Sequence, residues 1–189
     1  MSSAKSEINV GELVRRLRQG RRLSVRTLAA RTEFSPSFIS QVELGQASPS
    51  IASLERIAAA LGVTLAEFFE AEAADAAAGE ADPPRRQITS QWSRAQIQAL
   101  GGPGESRQLS PFLITIAPGG RSGNAPSIQP VEVFAAVIDG EVTLTLGNVV
   151  RALPRGDSVT IPAGTPHRWE NLGTEEAKLV VVSVSTQRA

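Results

Sequence analysis

One imidazole stands among 189 residues: His167, inside GDSVTIPAGTPHRWENLG, residues 156–173. An imidazole serves as acid, base or metal ligand near neutral pH, and each of these tasks normally needs a second group held beside it. The chain has no second histidine and no cysteine, which excludes disulfides, thiolate metal sites and a cysteine nucleophile and fits a reducing compartment. His167 therefore has two readings: a neutral core imidazole satisfied by a carbonyl and a side chain, or a polar contact in a small-molecule pocket. The other concentration of chemistry is basic. Residues 15–31 carry Arg15, Arg16, Arg18, Arg21, Arg22, Arg26 and Arg31 with no acid among them, although the formal net charge of the chain is zero. Such a run is either a solvated helical face or a surface that meets phosphate.

Two kinds of element must position these groups. From 9 to 70 apolar residues recur at helical spacing, and cap residues mark the breaks. Asn9 and Glu12 form a capping-box pair ahead of Leu13, Val14 and Leu17. Ser24 opens SVRTLAARTEF, Ser35 and Pro36 open SPSFISQVELG, and Gly45 closes it. IASLERIAAALG places Ile51, Leu54, Ile57, Ala58 and Leu61 on one stripe, and Thr64 with Glu67 starts TLAEFFE. Five short helices follow. Residues 71–88, rich in alanine and acids and containing Pro83-Pro84, read as a linker. Beyond it the spacing changes to strands: 112–117, 133–138, 141–146, 158–162 and 178–185, separated by Gly and Pro turns, as in an antiparallel sandwich, barrel or jelly roll. No run approaches the roughly 18 apolar residues of a membrane span and the start lacks a signal-peptide core, so a soluble cytoplasmic protein is expected.

The stretch LSVRTLAARTEFSPSFISQVELGQASPSIASLERIAAALGVTLAEFF resembles the helix-turn-helix of the XRE family, the Cro and repressor-like DNA-binding domain. Ala29, Ile39 and Val42 stand at its small and apolar packing positions, and Glu43 with Gly45 matches its E-x-G ending. The resemblance implies that the helix beginning after Ser35 enters the major groove. Pro36, Ser37, Ser40 and Gln41 become candidate base readers, Gln41 foremost because an amide pairs bidentately with adenine. Ser24, Arg26, Ser35, Gln46 and Ser48 fall where backbone contacts are made. Arg18 and Glu43 occupy positions that often pair across the bundle. Two departures stand out: Val25 replaces a common phosphate-gripping Gln, and Glu33 stands where the turn often has glycine.

The stretch around His167 resembles the second motif of the cupin superfamily, G-x5-P-x-G-x2-H-x3-N, with Gly156, Pro162, Gly164, His167 and Asn171 in place. The first cupin motif anchors on Pro118-Gly119 and Gly140. Its glutamate then falls on Val133 and its two histidines on Gln129 and Ser127, so the ordinary cupin metal ligands are lost. Glu132 adjoins the glutamate position, but strand alternation sends it to the other face. Residues 127, 129, 133, 135 and 137 are expected to share the interior with His167 and Trp169. A pocket is expected from Arg121, Ser127, Gln129, Val133, Ala135, His167 and Trp169, the indole serving either to stack on a ligand or as plain core.

Together the two motifs are similar to the XRE-cupin transcriptional regulators over nearly the whole chain. The resemblance implies a five-helix Cro/repressor-like domain at 1–72, a linker at 73–88 and an all-β cupin, a double-stranded β-helix or jelly roll, at 89–189. It implies a homodimer, joined mainly through the cupin domain, on a pseudo-palindromic operator in double-stranded DNA. It also implies a small-molecule effector; with the metal ligands lost, that effector is expected to bind without metal or cofactor and no catalysis is expected, nor any membrane partner. The rival is an iron-dependent cupin oxidase of the hydroxypropylphosphonate epoxidase kind, which shares the domain order. A third reading is a closed barrel that binds nothing.

Overall fold

The structure is a computed structural model, described here for residues 5–7, 9–65, 67–69, 85–90, 93–100 and 109–184. The N-terminal half is built by its caps. The side chains of Asn9, Ser24, Ser35 and Ser50 each accept from the backbone N–H three residues on, opening α1 (Val10–Gly20), α2 (Val25–Thr32), α3 (Pro36–Glu43) and α4 (Ile51–Ala60). Each bond satisfies one of the donors that a helix start leaves orphaned. Thr64 and Glu67 form the reciprocal box: Thr64 N–H donates to Glu67 Oε2 at 2.7 Å and Glu67 N–H to Thr64 Oγ1 at 3.1 Å. Helical residues follow at 65 and 67–69. At Asn9 the box takes a different form, because Glu12 Oε2 accepts from the Asn9 side chain at 3.4 Å. Gly11 lets α1 lie against α3, since a Cβ there would stand 2.5 Å from the Val42 carbonyl oxygen.

The strands form a seven-stranded sheet in the order β1-β2-β3-β4-β10-β5-β8, all but β1 from the C-terminal half, and a three-stranded sheet in the order β7-β6-β9. In the first sheet are β1 (Lys5–Glu7), β2 (Arg85–Ser90), β3 (Ala95–Ala99), β4 (Leu109–Ile116), β5 (Val133–Asp139), β8 (Ser158–Ile161) and β10 (Ala177–Val184). The second holds β6 (Glu141–Leu146), β7 (Val149–Pro154) and β9 (His167–Glu170). Their inner faces meet through Ile97, Ile116, Val142, Leu144, Leu153, Ile161 and Leu179, all 2% exposed or less. Each such side chain contributes on the order of 1.5–3 kcal/mol. This is the cupin jelly roll.

The five anticipated strands are present within a few residues, and β1, β2, β3, β7 and β9 are added, β9 carrying His167 and Trp169. β2 begins at Arg85, inside the stretch read as linker, and Lys5–Glu7 pairs in parallel with Arg85–Gln87. The remainder of that stretch, 71–84, lies outside the described residues. No helix among those described is long and apolar enough to cross a membrane.

The two halves pack together. Ala52 N–H, in the first turn of α4, donates to the Ser122 carbonyl at 3.1 Å. The Ser48 hydroxyl donates to the Thr89 carbonyl at 3.4 Å, and the Phe69 and Phe112 rings lie 5.7 Å apart. Gly123 permits this approach, because a Cβ there would sit 2.7 Å from the Ala52 methyl carbon.

Candidate functional site

The first site is the outer face of α3. Ile39 and Val42 point into the bundle, while Pro36, Ser37 and Gln41 are exposed and Ser40 is half-buried. Ser35 caps this helix through its hydroxyl oxygen, accepting from Phe38 N–H at 3.1 Å. Ser24 does the same for Thr27 N–H at 3.0 Å, and Arg26 beside it is exposed. These residues form one presented edge. Gln46 is exposed next to it, whereas Ser48 bonds toward β2, so its hydroxyl faces the other domain rather than the α3 edge.

The far end of α3 is clamped. Arg18 Nε and Nη2 donate to Glu43 Oε1 and Oε2 at 2.6 and 2.7 Å, and Nη1 donates to the Leu23 carbonyl at 2.8 Å. Arg18 is held above its ordinary pKa, chiefly by its hydrogen bond with Glu43. Glu33, at the turn, adopts the left-handed conformation with φ of 54° that the family pattern gives to glycine. Arg56 of α4 steadies this turn: its Nη2 donates to Glu33 at 2.7 Å and its guanidinium lies 4.8 Å from the Phe34 ring centre. Phe34 in turn meets Phe38 of α3 edge-on at 4.9 Å.

The second site is a cavity of about 620 Å³ at the mouth of the β-barrel. The segment before β5 runs along β9: Ser127 and His167 exchange backbone hydrogen bonds at 2.7 and 2.9 Å, and Ser122 N–H donates to the Trp169 carbonyl at 2.9 Å. Asn171 locks this arrangement by donating to the Ile116 and Glu175 carbonyls, both at 2.8 Å. Gly164, with φ of 75°, makes the turn that presents His167. Ser127, Gln129, Val133, His167 and Trp169 line the cavity; Ala135 is buried and Arg121 exposed, and neither lines it. Glu132 is exposed, on the opposite face from Val133.

His167 is 5% exposed. Its Nδ1 lies 3.2 Å from the Thr165 carbonyl, which can only accept, so in the neutral ring Nδ1 carries the proton and Nε2 is an acceptor. Burial lowers its pKa, against the opposing effect of that bond. Trp169 packs edge-on against it at 6.4 Å.

Sequence reasoning missed Glu55. This α4 side chain crosses from the helical half into the cavity, where the Ser127 hydroxyl and Gln129 hydrogen-bond to its carboxylate. Glu55 is half-buried and lines the cavity. Burial raises its pKa to about 7, with the two hydrogen bonds pulling the other way. Ile51, Val63 and Leu65 from the same half also line the space. A cupin iron site takes imidazoles with a carboxylate, and the residues here do not fit one. The motif positions hold Ser127, Gln129 and Val133, and no group of three or more His, Cys, Asp or Glu among the described residues is arranged to hold a metal.

A helix-turn-helix domain family matches residues 9–70 and a cupin domain family matches residues 112–183. The HTH-type transcriptional regulator PuuR of Escherichia coli is 28% identical over 184 residues, covering 93% of this chain and 95% of PuuR. The HTH-type transcriptional regulator SutR of the same organism is 27% identical over 166 residues, covering 86% of each. A crystal structure of an HTH_3 family transcriptional regulator from Vibrio cholerae superposes with a TM-score of 0.73 at 23% identity, over 95% of this chain and 96% of that one.

Proposed function

Because the chain belongs to the XRE-type helix-turn-helix transcriptional regulators that carry a cupin domain, we propose that it binds a pseudo-palindromic operator as a dimer and that its cavity binds a small effector without metal or catalysis. The exposed, capped edge of α3 carries the DNA part of this reading. Helix starts offer N–H groups and a favourable dipole to phosphate, and the amide of Gln41 stands ready for a base edge. The cavity supports the effector part, being apolar along much of its wall with a few polar groups near its centre. Selection of bound fragments from random duplex DNA tests it. A protein that enriches no sequence does not have this function.

With the selected operator, Gln41→Ala weakens binding by about 1–3 kcal/mol and relaxes preference at one base pair, whereas Arg26→Ala weakens all sequences alike and flattens the salt dependence. Fluorescence anisotropy across salt concentrations separates the two. Equal losses on every DNA would remove Gln41 from the reading edge. The effector is sought by screening metabolites for a rise in melting temperature, since a ligand of the native state must stabilise it.

A second copy has an apolar face to meet. Phe134 and Ile138, each 45% exposed, lie on the outward side of β5, and Phe134 and Ala136 stand in register with Val182 and Val180 of β10. Apolar surface gathered on one sheet face marks an association site. Phe134→Glu combined with Ile138→Lys yields a monomer in light scattering and weakens operator binding at least about tenfold, since one small head buries too little DNA alone. A variant that remains dimeric places the interface elsewhere.

A further inference from the structure

The cavity is rich in acceptors. Glu55 and Glu67 are its carboxylates, His167 offers Nε2, and none of its described lining residues is Lys or Arg. Glu67 is occupied by the Thr64 cap. Glu55 is partnered by the neutral groups of Ser127 and Gln129, and burial without a compensating positive charge keeps it protonated to an unusual degree near neutral pH. The indole of Trp169 lines the same cavity, and an indole face favours a cation or a flat donor group.

Glu55 also belongs to the half that carries α3. The next residue, Arg56, holds Glu33 and Phe34 at the turn that leads into α3. One helix therefore ends in the cavity through one side chain and braces the reading head through its neighbour. A ligand that takes Glu55 from Ser127 changes the contacts of α4 in the bound state only, which is the differential interaction that coupling requires.

We infer that the effector pocket is a joint site of both domains, in which the Glu55 carboxylate receives the hydrogen-bond donors of the ligand in place of Ser127 and α4 passes the change to the helix-turn-helix. This rests on the effector reading above and adds to it the polarity of the ligand, a donor end rather than a carboxylate or phosphate, and the residue that senses it.

Benzamidine, benzamide and benzoate share a shape and differ in that polar end, so they probe the assignment on the full chain by isothermal titration. Benzamidine binds at least about tenfold more tightly than benzoate, and benzamide falls between them. Glu55→Gln, checked for native circular dichroism, loses at least about tenfold in benzamidine affinity, whereas Ser127→Ala, which frees the carboxylate, gains several-fold. Benzamidine shifts operator affinity of the wild type and leaves that of Glu55→Gln unchanged. Benzoate binding as well as benzamidine, an unaltered benzamidine affinity in Glu55→Gln, or no benzamidine binding overturns the inference. The effector reading falls separately, if the metabolite screen finds no stabilising ligand.

Discussion

Arg18→Ala is expected to lower the unfolding free energy by about 2–4 kcal/mol, one of the two largest single effects in this protein. The Arg18 and Glu43 side chains are only 11% and 7% exposed, and Arg18 engages both carboxylate oxygens and the Leu23 carbonyl. Removing the guanidinium leaves Glu43 with little water to replace two donated bonds and takes a third from the Leu23 carbonyl, so most of the cost is desolvation of an unpaired charge. Glu43→Ala has the converse effect through Arg18. The double replacement Arg18→Met with Glu43→Leu recovers much of the loss, because an apolar pair of similar volume carries no such penalty. Urea unfolding followed by far-UV circular dichroism measures all three. A loss under about 1 kcal/mol for Arg18→Ala would make the pair equivalent to a surface salt bridge. The variant also loses operator affinity, because Glu43 ends α3 and its release lets the reading helix fray.

The local chemistry of this fold was legible and its long-range contacts were not. Caps at Asn9, Ser24, Ser35 and Thr64 act within three residues, so the sequence alone specifies them. The positive-φ turn glycines are similarly self-contained. β7 was missed because VVRALP shows almost no alternation: only Leu153 is buried, and the strand exists because β6 pairs with it. β3 reads AQIQA, whose small and amide side chains carry little strand signal. Glu55 was missed for a different reason. In IASLERIAAALG it stands between apolar positions like any solvated helical acid, and its partner Ser127 lies 72 residues away. One faint signal existed: Ile51, Ala52, Leu54, Ile57 and Ala58 are all buried, a wider stripe than one bundle contact requires. The excess width is the face that meets the barrel near Gly123. Ser48 is placed among the backbone contacts by motif position, and docking of the two halves turns its hydroxyl to Thr89; Arg121, expected at the barrel mouth, stands outside the cavity.

That docking gives the protein a pH response opposite to the usual one for a carboxylate. Glu55 has a pKa of about 7 in the folded chain against 4.5 for an ordinary glutamate, so between these values the native state holds a proton that the unfolded chain has released. Stability from this group is complete below about pH 4.5 and is lost as the pH rises to about 7, a change of about 3 kcal/mol. His167 runs the other way. Its folded pKa lies below the ordinary 6.5, so the unfolded chain takes up a proton first and stability falls as the pH drops through that range. The two side chains line the same cavity, and their opposite slopes partly cancel in the wild type. Glu55→Gln removes the first contribution while keeping the shape and an amide for Ser127. Subtracting its urea-unfolding free energies from those of the wild type across pH 4.5 to 8 therefore isolates Glu55. The difference should favour the wild type most at the acid end and decline by about 3 kcal/mol toward pH 8. A flat difference would mean that the carboxylate is solvated in the folded chain, and that α4 does not close the barrel mouth in solution.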